Sequence, residues 1–119
     1  MAEADIVVLL VRLNEGSRGM IGERELQWMK RDAILVNVAR GAILDEPALC
    51  RALQEGWIAA AGLDVLFEEP IRADHPLLAL DNVVLAPHLG GSTKGCDMVL
   101  VDDTIRVLRG EAPIHPLLH

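Results

Sequence analysis

At 119 residues, 51% of them hydrophobic, the chain can close one modest core, so a single folding unit is expected. A formal net charge of −7 argues against phosphate-backbone binding, which needs clustered Lys and Arg to displace counterions, and no nucleic-acid partner is expected. Aromatic residues contribute only 3%, leaving Val, Leu, Ile, Ala and Met to build the core, a mix that suits α/β layers.

The N-terminal residues Met1 to Asp5 are acidic where a signal peptide would be basic, and no apolar run approaches bilayer length. A soluble, cytoplasmic protein is expected, with no membrane partner. The first apolar run, Ile6 to Val11, reads as a strand. Glu23 to Lys30 follows as a helix, with acidic residues in its first turn and Leu26, Met29 and the edge of Trp28 near one side. A second strand runs from Ala33 to Val38. A second helix begins after Asp45 as N-cap, carries Pro47 in its first turn and stops at Gly56, with Ala48, Leu49, Ala52 and Leu53 as its apolar stripe.

The third strand spans Ile58 to Val65. Glu68 to Asp81, with Pro70 and Pro76, reads as an ordered loop with a short turn around Pro76-Leu77-Leu78. The fourth strand is Val83 to Leu85, and a third helix starts near Ser92 or Thr93 and ends at Arg109-Gly110. The strands are nearly continuous apolar runs, as in a parallel sheet covered on both faces. The order is that of right-handed crossover units, so the expected fold is α/β: a partial doubly wound, Rossmann-like parallel sheet of about four strands with flanking helices. Residues 1–110 form that unit and 111–119 a tail. Cys50 and Cys96 have no metal-ligand spacing to another Cys or His and are read as reduced thiols, and no metal site is expected.

In open α/β sheets a site forms at the carboxyl ends of the strands. The residues there are polar: Asn37 to Gly41 after the second strand, Asp64 and then Glu68-Glu69-Pro70 after the third, Pro87 to Gly91 after the fourth. The strings Asn-Val-Ala-Arg-Gly at 37–41, Leu-Asp-Val-Leu-Phe-Glu-Glu-Pro at 63–70, Asp-His-Pro-Leu at 74–77 and Asn-Val-Val-Leu-Ala-Pro-His-Leu-Gly-Gly-Ser-Thr at 82–93 together resemble the D-isomer-specific 2-hydroxyacid dehydrogenases. The likeness is to the C-terminal part of their NAD-binding domain, phosphoglycerate dehydrogenase-like, and spans nearly the whole chain.

The resemblance implies an NAD-dependent oxidoreductase that moves hydride between nicotinamide and a small 2-hydroxy or 2-keto acid. NAD is the family's default cofactor and NADP the alternative. Arg40, Glu69 and His88 correspond to its catalytic residues. A planar guanidinium at Arg40 suits a substrate carboxylate through two parallel hydrogen bonds, and Gly41 lets the chain turn away sharply behind it. The imidazole of His88 suits proton exchange at the carbonyl oxygen, and a carboxylate at Glu69 would fix its tautomer. The resemblance also implies cofactor contacts at Val11, Val38, Ala39, Arg40, Asp64, His88, Gly90 and Gly91, the two glycines allowing close approach.

Taken singly, each of these residues has a plainer reading: Arg40 as a strand-end surface residue, Glu69 as a solvated loop charge, His88 as a loop histidine, Asp64 as a turn cap. His75 reads as a structural turn residue, and His115 and His119 as exposed in the tail. Gly90 to Gly95 resembles a phosphate loop, but the Walker order places Gly-Lys before Ser or Thr. Gly16, Gly19 and Gly22 do not reproduce the glycine-rich dinucleotide fingerprint, so a truncated form, a fragment of a larger dehydrogenase, is expected. The alternative is an inactive remnant that works as a binding or interaction module. The exposed edge of the first strand makes a homodimer one expected arrangement.

Overall fold

The computed structural model describes residues 1–92, 105–106 and 109–112. The chain divides into two compact units, Met1–His88 and Leu89–His119.

The first unit contains four strands, β1 (Ile6–Leu9), β2 (Ile34–Asn37), β3 (Ala60–Leu63) and β4 (Val83–Leu85), and two helices, α1 (Glu23–Gln27) and α2 (Glu46–Gln54). The strands pair in parallel in the order β1-β2-β3-β4. Every strand therefore ends at the same edge of the sheet. Short 3-10 turns at Gly41–Ile43 and Pro76–Ala79 complete the unit, the latter at the turn expected around Pro76.

α2 starts where the sequence says it should. The Asp45 carboxylate accepts the Ala48 N–H at 3.0 Å, Pro47 occupies the first turn, and Gly56 at φ 68° turns the chain out. α1 is shorter than expected, and after Gln27 the chain turns over Trp28 and Met29. Met29 is buried, but Trp28 is half exposed, with the Arg24 guanidinium 4.3 Å from its ring centre.

Leu26 of α1 and Leu49 and Leu53 of α2 bury against Leu35 of β2 and Leu63 of β3, with Ile58 and Leu77 closing the same core. This is one face of the sheet. On the other, Ile6, Val8, Ile34 and Val84 are exposed, Val84 by 73%. Among the described residues, then, the expectation of a sheet covered on both faces is met on one face only.

Cys50 is free and buried, and burial followed by the neighbouring Glu46 carboxylate pushes its thiol pKa up. Cys96, His115 and His119 lie outside the described residues, as does most of the third expected helix. In the second unit Ile105 and Arg106 are helical, and the Glu111 N–H donates to the Arg106 carbonyl across Gly110 at φ 75°. Among the described residues no helix is long and apolar enough to cross a membrane.

Candidate active site

The backbone ladder continues beyond the strands and aligns the segments that follow them. The Asp64 N–H donates to the Asn37 carbonyl at 3.0 Å, and the His88 N–H donates to the Asp64 carbonyl at 2.9 Å. The ends of β2, β3 and β4 are thereby held in one row.

At the β2 end, Asn37 is fully buried, and its amide does the local work. Its Oδ1 accepts the Ala39 N–H and its Nδ2 donates to the Arg40 carbonyl, both at 3.1 Å. This Asx turn fixes Val38, Ala39 and Arg40 in one conformation. The Arg40 side chain is exposed, with Nη1 donating to the Ala39 carbonyl. Val11, Val38, Ala39 and Arg40 line, with Leu10 and Arg12, a groove of about 500 Å³ between the β1 and β2 ends.

Gly41 is needed for space rather than for turning. A β-carbon there would lie 1.9 Å from the Leu66 carbonyl oxygen and 2.4 Å from the Phe67 nitrogen, both backbone atoms. The expected turn is present, as the 3-10 turn Gly41–Ile43, but what requires glycine there is the close approach of two chain segments, one carrying Arg40 and the other Glu69.

Glu69 and His88 meet directly, His88 Nδ1 to Glu69 Oε2 at 2.8 Å. Because a carboxylate only accepts, the ring proton of this contact resides on Nδ1, and Nε2 is the nitrogen that can exchange a proton with a bound molecule. The other carboxylate oxygen of Glu69 accepts the Leu66 N–H at 2.9 Å. The hydrogen bond from His88, and after it that from Leu66, hold the Glu69 carboxyl below its ordinary pKa. His88 has φ 55°, the left-handed region that a residue with a β-carbon seldom occupies. Asp64, Glu69 and His88 border a pocket of about 530 Å³ whose other walls include Ile71, Leu78 and Leu85.

Gly90 and Gly91 fall in the second unit, and a β-carbon at Gly91 would meet no described atom within 4 Å. Among the described residues no group of three or more His, Cys, Asp or Glu is placed to hold a metal ion.

Two features escape sequence reading. Asn37 stands there only as part of a string, although a polar residue ending an apolar run is its available signal. Glu46 and His75 form a second, half-buried pair, Oε1 to Nε2 at 2.8 Å, across 29 positions of sequence that carry no periodic signal of their contact.

Residues 1–90 match the family model described as D-isomer specific 2-hydroxyacid dehydrogenase, NAD binding domain. A glyoxylate reductase of Korarchaeum cryptofilum is 50% identical over 118 residues, covering 95% of this chain and 35% of the relative. A crystal structure of a Thermus thermophilus protein superposes with TM-score 0.87 at 40% identity, covering 98% of this chain and 39% of that one. A D-lactate dehydrogenase from Lactobacillus jensenii, solved with NAD+, gives TM-score 0.82 at 36% identity, covering 99% of this chain and 41% of its own. The chain thus spans about a third of the length of the curated relatives it matches.

Proposed function

Because the chain belongs to the D-isomer specific 2-hydroxyacid dehydrogenase family, as part of its NAD-binding domain, we propose that it serves hydride transfer between a nicotinamide dinucleotide and a small 2-hydroxy or 2-keto acid. The observation that carries this reading is the 2.8 Å contact between Glu69 and His88 Nδ1, which leaves Nε2 available for proton exchange. An imidazole so oriented is suited to give a proton to a carbonyl oxygen during reduction and take it back during oxidation.

Arg40 is assigned the substrate carboxylate. Its guanidinium is exposed at the β2 end, and its backbone is fixed by the buried Asn37. Glu69 holds the His88 tautomer and balances the charge that develops on the ring. The groove lined by Val11, Val38, Ala39 and Arg40 fits one face of the cofactor: it sets apolar side chains beside the cationic Arg12 and Arg40, next to a strand end with fixed backbone, and it lies at the carboxyl edge where parallel sheets take dinucleotides. Asp64 completes the cofactor contacts proposed for the first unit, and the family resemblance alone proposes Gly90 and Gly91 as cofactor contacts. Bound nicotinamide supplies or accepts the hydride. NAD is the cofactor proposed, with NADP as the alternative.

The test is calorimetric titration with NADH and, separately, NADPH, followed by NADH oxidation in the presence of glyoxylate or pyruvate. Binding with turnover that His88→Gln lowers about 100- to 10,000-fold supports the reading. Absence of binding at millimolar cofactor overturns it for this chain, and binding without turnover points to a nucleotide-binding module.

A further inference from the structure

The second carboxylate–histidine pair of the fold lies behind the first, and its geometry gives it a task. Glu46 is the first residue of α2, and both its oxygens are engaged. Oε2 accepts the Phe67 N–H at 3.1 Å, and Oε1 meets His75 Nε2 at 2.8 Å. The Glu46 side chain is 14% exposed and that of His75 18%, far more enclosed than Glu69 at 38%.

His75 is itself oriented, because its Nδ1 accepts the Leu77 N–H at 3.3 Å and caps the 3-10 turn at Pro76–Ala79. That assigns the ring proton to Nε2, which donates to Glu46. One carboxylate from α2 therefore grips the loop carrying Glu69 on both sides, at Phe67 before it and at His75 after it.

The grip acts at a sensitive place. The Leu66–Phe67 peptide is the one packed against Gly41, and its N–H is the one donated to Glu46. The preceding N–H, that of Leu66, holds the Glu69 oxygen opposite His88. Tilting the Phe67 amide would tilt the Leu66 amide with it, and Glu69 is too exposed for packing to hold its place.

We propose that Glu46 and His75 are positioning residues for the Glu69–His88 pair, clamping the 67–75 loop so that the carboxylate keeps the imidazole in its Nδ1–H tautomer. The inference rests on the reading of Glu69 and His88 as the acid/base pair. It places neither Glu46 nor His75 in contact with substrate.

Glu46→Gln is the informative change. An amide has one acceptor oxygen, so with that oxygen on the Phe67 N–H its NH₂ meets His75 Nε2, either donor against donor or with the ring proton moved to Nδ1 and the bond from the Leu77 N–H lost; either way the grip at His75 is weakened. The readout is the ring 15N spectrum of His88 in the 119-residue chain, at a pH where imidazole is neutral; this reports the tautomer whether or not the chain turns over. In Glu69→Ala the Nδ1–H signature is lost. Glu46→Gln is expected to move His88 in the same direction, with the double variant no different from Glu69→Ala alone. His75→Ala repeats the shift and covers the case in which Glu46→Gln does not fold. His75→Gln, which keeps an N–H for Glu46, restores the wild-type spectrum.

Where turnover is measurable, Glu46→Gln lowers kcat about 10- to 100-fold with KM nearly unchanged, the cost of a misplaced catalytic group. A wild-type His88 spectrum in folded Glu46→Gln or His75→Ala overturns the clamp. A wild-type His88 spectrum in Glu69→Ala overturns the acid/base reading instead.

Discussion

Gly41 and Leu66 touch through backbone alone: a β-carbon on Gly41 would lie 1.9 Å from the Leu66 oxygen and 2.0 Å from its carbonyl carbon. Neither atom can swing aside as a side-chain tip would. Gly41→Ala should therefore push the Leu66–Phe67 peptide away and cost about 1–3 kcal/mol, the range for overpacking, at its upper end because the obstacle is main chain. Urea unfolding measures the cost. A midpoint within error of wild type would show that the two segments separate freely and are not a rigid link between Arg40 and Glu69.

Glu69 gives a pH dependence with a defined sign. Its carboxyl pKa is lowered in the folded chain, first by His88 and then by the Leu66 N–H. The folded state therefore binds the proton less readily than the unfolded state. The stability this contributes is present above the ordinary carboxyl value and is lost as pH falls through the lowered one. The wild type should unfold at a higher temperature than Glu69→Gln at neutral pH, and the two curves should converge as acidification carries Glu69 from the ordinary carboxyl range through its lowered pKa. Asp74, also lowered by its Arg72 partner, is common to both proteins and cancels in the difference. A gap that widens on acidification would contradict the assignment. The gap itself is small, since both partners are exposed to solvent.

The two faces of the sheet should respond oppositely to truncation. Leu35 is completely buried and Val84 is 73% exposed. Leu35→Ala is expected to cost about 2–5 kcal/mol, and Val84→Thr less than about 0.5 kcal/mol, in urea titrations of the dilute chain. A large cost at Val84 would mean that the open face is covered in solution.

Asn37 joins the sheet to the segment that carries Arg40. Asn37→Asp replaces the N–H₂ that donates to the Arg40 carbonyl with a second acceptor, at a site with no solvent to relieve the repulsion. The expected loss is about 1–3 kcal/mol, or more if the new carboxyl ionises. If cofactor and substrate bind as proposed, KM for the keto acid rises with it, because Arg40 loses its fixed backbone. Unchanged stability would mean that the bond from Asn37 Nδ2 to the Arg40 carbonyl contributes nothing to the folded state.

How much of this is legible in the sequence follows from the range of the interactions. The strands, the Asp45 cap, the stop at Gly56 and the turn at Pro76 depend on neighbours a few positions away, and the structure has them within a few residues of where the sequence puts them. Arg40, Glu69 and His88 stand out because parallel strands deliver their ends to one edge, so polar residues after apolar runs converge by topology. The reason for Gly41 is not legible, since steric contact between positions 41 and 66 leaves no local trace. The Glu46–His75 pair is hidden for the same reason. The open sheet face is hidden because apolar composition is the same whether or not another layer covers it.

His88 carries the clearest opposition between stability and function. Its φ of 55° places a β-carbon in the left-handed region, which costs a residue other than glycine roughly 1–2 kcal/mol. Its compensating side-chain bond to Glu69 is 45% and 38% exposed on the two partners, and an ion pair in that setting contributes about 0–1 kcal/mol. The backbone bond from the His88 N–H to the Asp64 carbonyl survives any substitution that keeps the N–H. His88→Gly should therefore relieve more strain than it removes binding, apart from the larger backbone entropy of glycine in the unfolded chain, about 0.5–1 kcal/mol. These terms nearly cancel, so His88→Gly is expected to unfold within about 1 kcal/mol of wild type, while His88→Val, with a branched β-carbon at a positive φ, unfolds well below both. Both variants remove the proposed proton donor, so turnover should fall about 100- to 10,000-fold in each although one stays stable. Parallel urea titrations of the three proteins decide it: equal losses for glycine and valine would show that backbone strain at this position does not matter, and that the left-handed conformation is imposed by nothing more than the chain's path from β4.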